Sequence, residues 1–299
     1  MPTVLPTVLT VGSLHYDIMV KADHLPRRDE TAVGSAWFPK FGGKGGNQAV
    51  AAAKAGAVSR MVGAVGSDDF GRFLREHLNL GQVDDRFVTT LTDTASGMSV
   101  AIQDGAGDYA ATIVSGANLQ IDPATLGSDA VWDGVNVLVL QNEVPEPVNL
   151  AAATEARKRG IPTLLNAAPY RALGPELRRL VDILVVNAVE AEMMGTEKVC
   201  CLPSAAEAAK KLADQFKSVI VTAGGEGLAA WSAHDEVLQL PAEKIEVVSS
   251  HGAGDAFIGT LAAQLAAGHG LEAASRAASH AAALHVAALH VAASHAAGL

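Results

Sequence analysis

The chain has 299 residues and is poor in cysteine, aromatics and positive charge. Its two cysteines, Cys200 and Cys201, are adjacent. They fit no CxxC or zinc spacing and cannot build a disulfide framework, so cytosolic thiols are the plain reading. Lys and Arg number 22 against 32 Asp and Glu, a formal net charge of −10, and no basic cluster occurs. Nucleic acid and an anionic membrane are therefore not expected as partners. No apolar run reaches the roughly eighteen residues that span a bilayer; the apolar C-terminal segment is interrupted by His280, His285, His290 and His295. The N-terminal stretch Met1 to Leu9 has no basic region and carries prolines, unlike a signal peptide. A soluble, cytoplasmic protein is expected. Two phosphate motifs are missing as well. Lys44 is followed by Gly45 rather than Ser or Thr, so no P-loop frame fits, and no GxGxxG follows a strand.

What is present is apolar: hydrophobic residues make up 49% and charged residues 18%, enough to bury a full core. Apolar strands at 135–141, 162–166, 183–186 and 218–222 alternate with helical patterns at 148–159, 175–181 and 205–216. That alternation predicts an α/β fold, a doubly wound and mostly parallel sheet flanked by helices. Upstream, Leu9 to Gly12 reads as a buried strand and 61–66 as another, with a helix at 70–80. Residues 18–41 leave the main sheet. Residues 97–116 alternate around a turn at Asp104–Gly107. Together they predict a small exposed sheet. A second hairpin is expected at 228–231 and 237–240. The four C-terminal histidines recur every five residues, about 140° apart on a helix, and so scatter around it. An alanine-rich packing helix is expected there, not a metal site.

The densest chemical signal is Ser249-Ser250-His251-Gly252-Ala253-Gly254-Asp255-Ala256-Phe257. A strand-like run, Ile245 to Val248, precedes it and an apolar helical pattern follows. Glycines allow close backbone approach, and a helix start offers unpaired N–H groups to an anion. An ordinary turn with Asp255 as a first-turn cap accounts for the stretch equally well. A second glycine stretch, Gly42 to Gly46, leads into a helix at 47–55 closed by Gly56. Asp17, Asn47 and Glu143 suit a hydroxyl-rich ligand, and Asp17 and Glu143 follow strand ends, where open α/β sheets bind ligands. Asn187 and Glu190 read either as a capping box or as oxygens near Mg²⁺. Thr222 to Gly227 is a flexible turn suited to a purine or phosphate.

Gly42-Gly-Lys-Gly-Gly-Asn-Gln-Ala49, then Asn187-xx-Glu190, Thr222-x-Gly224-xx-Gly227 and Gly252-Ala-Gly-Asp255-Ala-Phe257 occur in that order. Together they make the chain similar, from about residue 8 to about 290, to the ribokinase-like carbohydrate kinases (the PfkB type). The resemblance implies one ribokinase-like α/β domain over 1–299, with a β lid from about 15–41 and 97–116 that often makes a dimer contact. It implies transfer of the γ-phosphoryl of Mg·ATP to a primary hydroxyl of a pentose or related sugar. Asp255 matches the catalytic base and Gly252, Ala253 and Gly254 the anion hole. Asp17, Gly43, Lys44, Asn47 and Glu143 match sugar-binding positions. Asn187, Thr222, Gly224, Gly227 and Ser279 match nucleotide-side positions, and Glu190 the magnesium-associated glutamate, acting through water.

Three departures bear on these expectations. Ser249 and Ser250 stand where the family carries Asp-Thr, whose Asp helps to hold a monovalent cation. The C-terminal cation region reads Ala287-Ala-Leu-His290-Val instead of Thr-Arg-x-Gly-Ala, with Ser294 beyond it. Potassium activation of the usual kind is therefore not expected. His15 replaces an Asn two residues before Asp17, so simple ribose specificity does not follow, and Tyr16 either stacks on the ligand or packs in the lid. A nucleoside kinase of the same family and a catalytically weakened sugar- or nucleotide-binding protein are the competing readings.

Overall fold

The computed structural model describes residues 5–105, 109–233, 237–245 and 252–296, residue 109 and the last nine by backbone alone. In chain order the strands are β1 (Thr7–Val11), β2 (His15–Ala22), β3 (Gly34–Gly42), β4 (Val58–Gly66), β5 (Val83–Leu91), β6 (Met98–Gln103), β7 (Tyr109–Val114), β8 (Val135–Gln141), β9 (Thr163–Asn166), β10 (Ile183–Asn187), β11 (Ser218–Thr222), β12 (Gly227–Ser232) and β13 (Leu238–Pro241). The helices are α1 (Lys44–Lys54), α2 (Asp69–Leu80), α3 (Asp129–Trp132), α4 (Glu146–Lys158), α5 (Pro175–Leu180), α6 (Ala188–Met193), α7 (Leu202–Leu212), α8 (Ala253–Ala266) and α9 (Leu271–Ala296).

A nine-stranded sheet runs in the order β13-β12-β11-β10-β9-β8-β1-β4-β5. From β11 to β5 the pairings are parallel, and the β12–β13 hairpin closes one edge antiparallel. Side chains alternate across a strand, and here both faces are apolar. Leu138 and Leu140 of β8 join Leu165, Leu184, Val219 and the helices α4 and α7. Val137 and Val139 point the other way, to Ala52 of α1, Phe257, Ile258 and Leu261 of α8, and Ala274 and Ala278 of α9. Helices thus cover both faces, as a doubly wound sheet requires.

From β1 the chain moves one way, to β4 and β5, and then resumes at β8 on the other side of β1. The order reverses between β1 and β8. Open α/β sheets bind ligands at the carboxyl ends of the strands that flank such a reversal.

The segments expected to leave the main sheet do so. β3, β2, β6 and β7 form a separate four-stranded sheet in that order, antiparallel except for the parallel β2–β6 pair. Tyr16 on β2 stacks on Phe70 of α2, ring centroids 4.0 Å apart, and meets Phe73 edge-on. It thus ties the small sheet to α2.

Several boundaries shift. α1 begins at Lys44, not at Asn47, so the glycine stretch forms its first turn. The glycines are there for proximity: a Cβ on Gly45 would stand 2.6 Å from the Ser13 nitrogen. The edge strand β5 had no sequence counterpart, since Val83-Asp-Asp-Arg-Phe87 carries too many charges to read as one. The strand expected at Ile245–Val248 and most of the Asp104–Gly107 turn fall outside the described residues. No described helix is long and apolar enough to cross a membrane. No cluster of three or more potential metal-binding side chains occurs among the described residues. Cys200 and Cys201 are free thiols.

Candidate active site

The carboxyl ends of β1 and β8 hold the first part of the site. Ser13 follows β1 and Glu143 follows β8. The Ser13 hydroxyl donates to Glu143 Oε2 at 2.5 Å, and the Lys44 backbone N–H donates to the same oxygen at 2.8 Å. That second bond uses one of the free N–H groups at the start of α1. Gly43 caps the helix with φ 85°, and a Cβ there would stand 2.8 Å from the His15 nitrogen. Only glycine serves both demands.

Asp255 lies in the first turn of α8, 207 residues beyond Gln48 of α1, yet Gln48 Nε2 donates to its Oδ1 at 2.9 Å. Asn47 Nδ2 donates to Oδ2 at 3.2 Å. Both carboxylate oxygens are thus held by amides from one turn of α1. Gly252 caps α8 in the left-handed region (φ 84°) with no side-chain hydrogen bond to the helix. The N–H groups behind it, on Ala253 and Gly254, are those a helix leaves unpaired. Burial pushes Asp255 above its ordinary carboxylate value, against the Lys44 charge and the two amides, which pull it down.

The nucleotide-side positions sit on neighbouring strand ends. Asn187 ends β10 and Thr222 ends β11, and the two are direct partners in the register. Gly224 and Gly227 follow in a turn with φ 56° and 114°. Asn187 and Glu190 form a complete capping box on α6: Glu190 N–H to Asn187 Oδ1 at 2.8 Å, and Asn187 N–H to Glu190 Oε2 at 2.9 Å. Glu190 Oε1 takes no hydrogen bond among the described residues. Burial raises Glu190 above the ordinary range, partly offset by its bond from Asn187 and by the Lys44 charge. Lys44 therefore stands electrostatically between Asp255 and Glu190.

Asp17 is not in a loop after β1. It lies on β2 of the small sheet, where Ser99 of β6 donates to its Oδ1 at 2.5 Å. Ser279 is half-buried on α9, and no hydrogen bond among the described residues joins it to this cluster. Ser249, Ser250 and His251 lie outside the described residues, as do the side chains of His290 and Ser294.

Four participants had no assigned role in the sequence. Gln48 stood unremarked in the glycine signature, one residue past Asn47. Ser13 and Ser99 are short hydroxyls with no pattern of their own. His285 is one of the scattered C-terminal histidines, yet its Nε2 lies 2.8 Å from where a Cβ on Gly252 would be. His15 is buried, with Nδ1 3.9 Å from Glu143 Oε2.

The family model for pfkB family carbohydrate kinases matches residues 6–296. The chain belongs to that family. Among curated relatives, the ribokinase of Mus musculus is 35% identical over 263 residues, 87% of this chain and 81% of the relative. The ribokinase of Bacillus subtilis is 33% identical over 275 residues, 92% of this chain and 90% of the relative. Among solved structures, the Arabidopsis thaliana ribokinase complexed with ribose and ATP aligns with a TM-score of 0.87 at 28% identity, covering 95% of this chain and 93% of that one. This carbohydrate kinase chain thus shares its overall fold with a solved ribokinase.

Proposed function

We propose that the protein is an ATP-dependent pentose kinase with Asp255 as general base. The observation that carries this reading is the pair of amide donors on Asp255. Asn47 and Gln48 fix both its oxygens at the start of α8, whose cap, Gly252, has no side chain to occupy the helix N–H groups. In that position Asp255 accepts the proton of a primary hydroxyl as it attacks. A carboxylate lifted above its ordinary range by burial is the stronger base. The N–H groups of Ala253 and Gly254 face the charge that develops on the transferring phosphoryl. Asp17, Gly43, Lys44, Asn47 and Glu143 hold and orient the sugar, with Glu143 itself fixed by Ser13.

Asn187, Thr222, Gly224, Gly227 and Ser279 form the nucleotide side. Mg·ATP, when bound, supplies the phosphoryl group and neutralises its charge. The chain fits that cation at Glu190, a desolvated carboxylate with one oxygen left over from its cap, suited to a metal-bound water. Lys44, whose charge acts on both the base and Glu190, meets the phosphoryl as it crosses. The unit spans 1–299 with its lid at 15–41 and 97–116. It pairs with a second copy through the lid, a reading supported by the exposed Trp37, Phe38, Ile113 and Val114.

A thermal-shift panel of pentoses, hexoses and nucleosides, with and without Mg·ADP, tests the reading, because binding stabilises by mass action. A pentose response that grows with Mg·ADP is expected. A response to nucleosides alone would move the protein to that class. No response to any ligand, ATP included, would overturn the assignment.

A further inference from the structure

Lys40 lies on β3 directly opposite Asp17 of β2, and Asp17 lies opposite Ser99 of β6. Opposed residues share one face of a sheet, and the Ser99–Asp17 hydrogen bond shows which face this row uses. The Lys40 ammonium is half-buried and makes no ion pair within 4 Å among the described residues. It nevertheless feels two carboxylates, Asp17 beside it on the small sheet and Asp255 on α8. Burial depresses its proton affinity, and the two carboxylates offset that only in part. Lys40 thus acts on Asp17 and Asp255, as Lys44 acts on Asp255 and Glu190.

An ammonium carries three donors and no acceptor, and a partly desolvated one needs acceptor oxygens. We propose that Lys40 is an acceptor-binding residue of the kinase: its ammonium donates to one hydroxyl oxygen of the bound sugar while Asp17 accepts from a hydroxyl of the same sugar. The lid then grips a diol from a donor and an acceptor standing side by side. An anionic substituent is the poorer occupant, since Asp17, Glu143 and Asp255 already crowd the pocket with like charge. The inference rests on the kinase reading and adds to it a specificity residue that the glycine signature does not contain.

The test measures steady-state kinetics of wild type, Lys40→Met and Lys40→Arg with the best pentose and with its deoxy analogues, each lacking one hydroxyl. A charged hydrogen bond lost from the ground and transition states alike should raise the sugar KM by about ten- to a hundredfold in Lys40→Met. The ATP KM should stay within about twofold, and Lys40→Arg should recover part of the loss. One deoxy analogue should lose far less than the others, because the hydroxyl that Lys40 meets is already gone. An equal fall in kcat for every analogue with unchanged sugar KM would show that Lys40 only tunes the neighbouring carboxylates, and would overturn the proposal. So would a Lys40→Met enzyme indistinguishable from wild type. A wild-type protein that phosphorylates no sugar would instead refute the kinase reading, and this inference with it.

Discussion

Gln48 and Asp255 are 207 positions apart in sequence and 2.9 Å apart in space. Gln48 is buried, so its amide has no water to fall back on. The bond sets the position of the carboxylate and lowers its proton affinity.

Gln48→Leu keeps the volume and removes the donor. A hydrogen bond to a charged group is worth about 1.5–3 kcal/mol, so kcat/KM should fall by about ten- to a hundredfold. With one donor gone, Asp255 should titrate higher still. The acid limb of the kcat/KM profile should therefore move to higher pH than in the wild type. A parallel loss at every pH would mean that Gln48 acts through packing alone.

Asp255→Asn separates chemistry from binding. General-base catalysis contributes about 10²–10⁴ in rate, and the variant should lose at least that while keeping its thermal shift with ATP. Stability should move the other way. The folded protein raises Asp255 above its ordinary 3.8, chiefly by burial, so ionisation costs stability as pH rises through the folded value. The variant should match wild type in Tm below about pH 3.8 and exceed it near neutrality. A Tm difference that does not change with pH would contradict the burial argument.

The alternation of apolar strands and helices from residue 135 onward made the parallel sheet legible, because each strand is buried on both faces and reads as a continuous apolar run. The small sheet was legible from the alternation at 97–116. The start of α1 was not, because glycine reads as a helix breaker wherever the close approach of another strand is unknown. β5 was missed because its acids are partnered by arginines outside the strand, Asp84 by Arg60 and Asp85 by Arg75, which a local reading does not see. In the site, Asp255 and Asn47 carried recognisable signatures. Gln48, Ser13 and Lys40 did not, since their roles depend on α8 packing against α1 and on a cross-strand register, and neither is encoded locally.

That packing of α8 on α1 is tight at Gly259. A Cβ there would stand 2.4 Å from Ala51 Cβ and 2.5 Å from the Gln48 carbonyl oxygen. Gly259→Ala should destabilise by about 1–3 kcal/mol through overpacking, read as a lowered urea midpoint. It should also cut kcat more than sugar KM, because separating the helices lengthens the Gln48–Asp255 bond. Wild-type activity in the destabilised variant would show that the base does not depend on this spacing.

Glu190→Gln tests the metal assignment with the helix cap intact, since Gln also serves at the third position of a capping box. The half-saturating Mg²⁺ concentration should rise severalfold, with little change in Tm. The charge removed is one that Lys44 helps to stabilise. An unaltered Mg²⁺ titration would leave Glu190 with only its capping role.

Ser249 bears on a monovalent cation. Ser249 carries no charge to hold such an ion, where the family pattern has a carboxylate. A neutral hydroxyl offers a single weakly polar oxygen and no charge. The His285 ring beside Gly252 offers no oxygen to replace it. Exchanging K⁺ for Na⁺ or a bulky organic cation at constant ionic strength should therefore change kcat by less than about twofold. Ser249→Asp, which restores the carboxylate, should introduce a K⁺ response. A strong K⁺ requirement in the wild type would mean that backbone carbonyls alone suffice to hold the ion, and that the carboxylate was never essential to it.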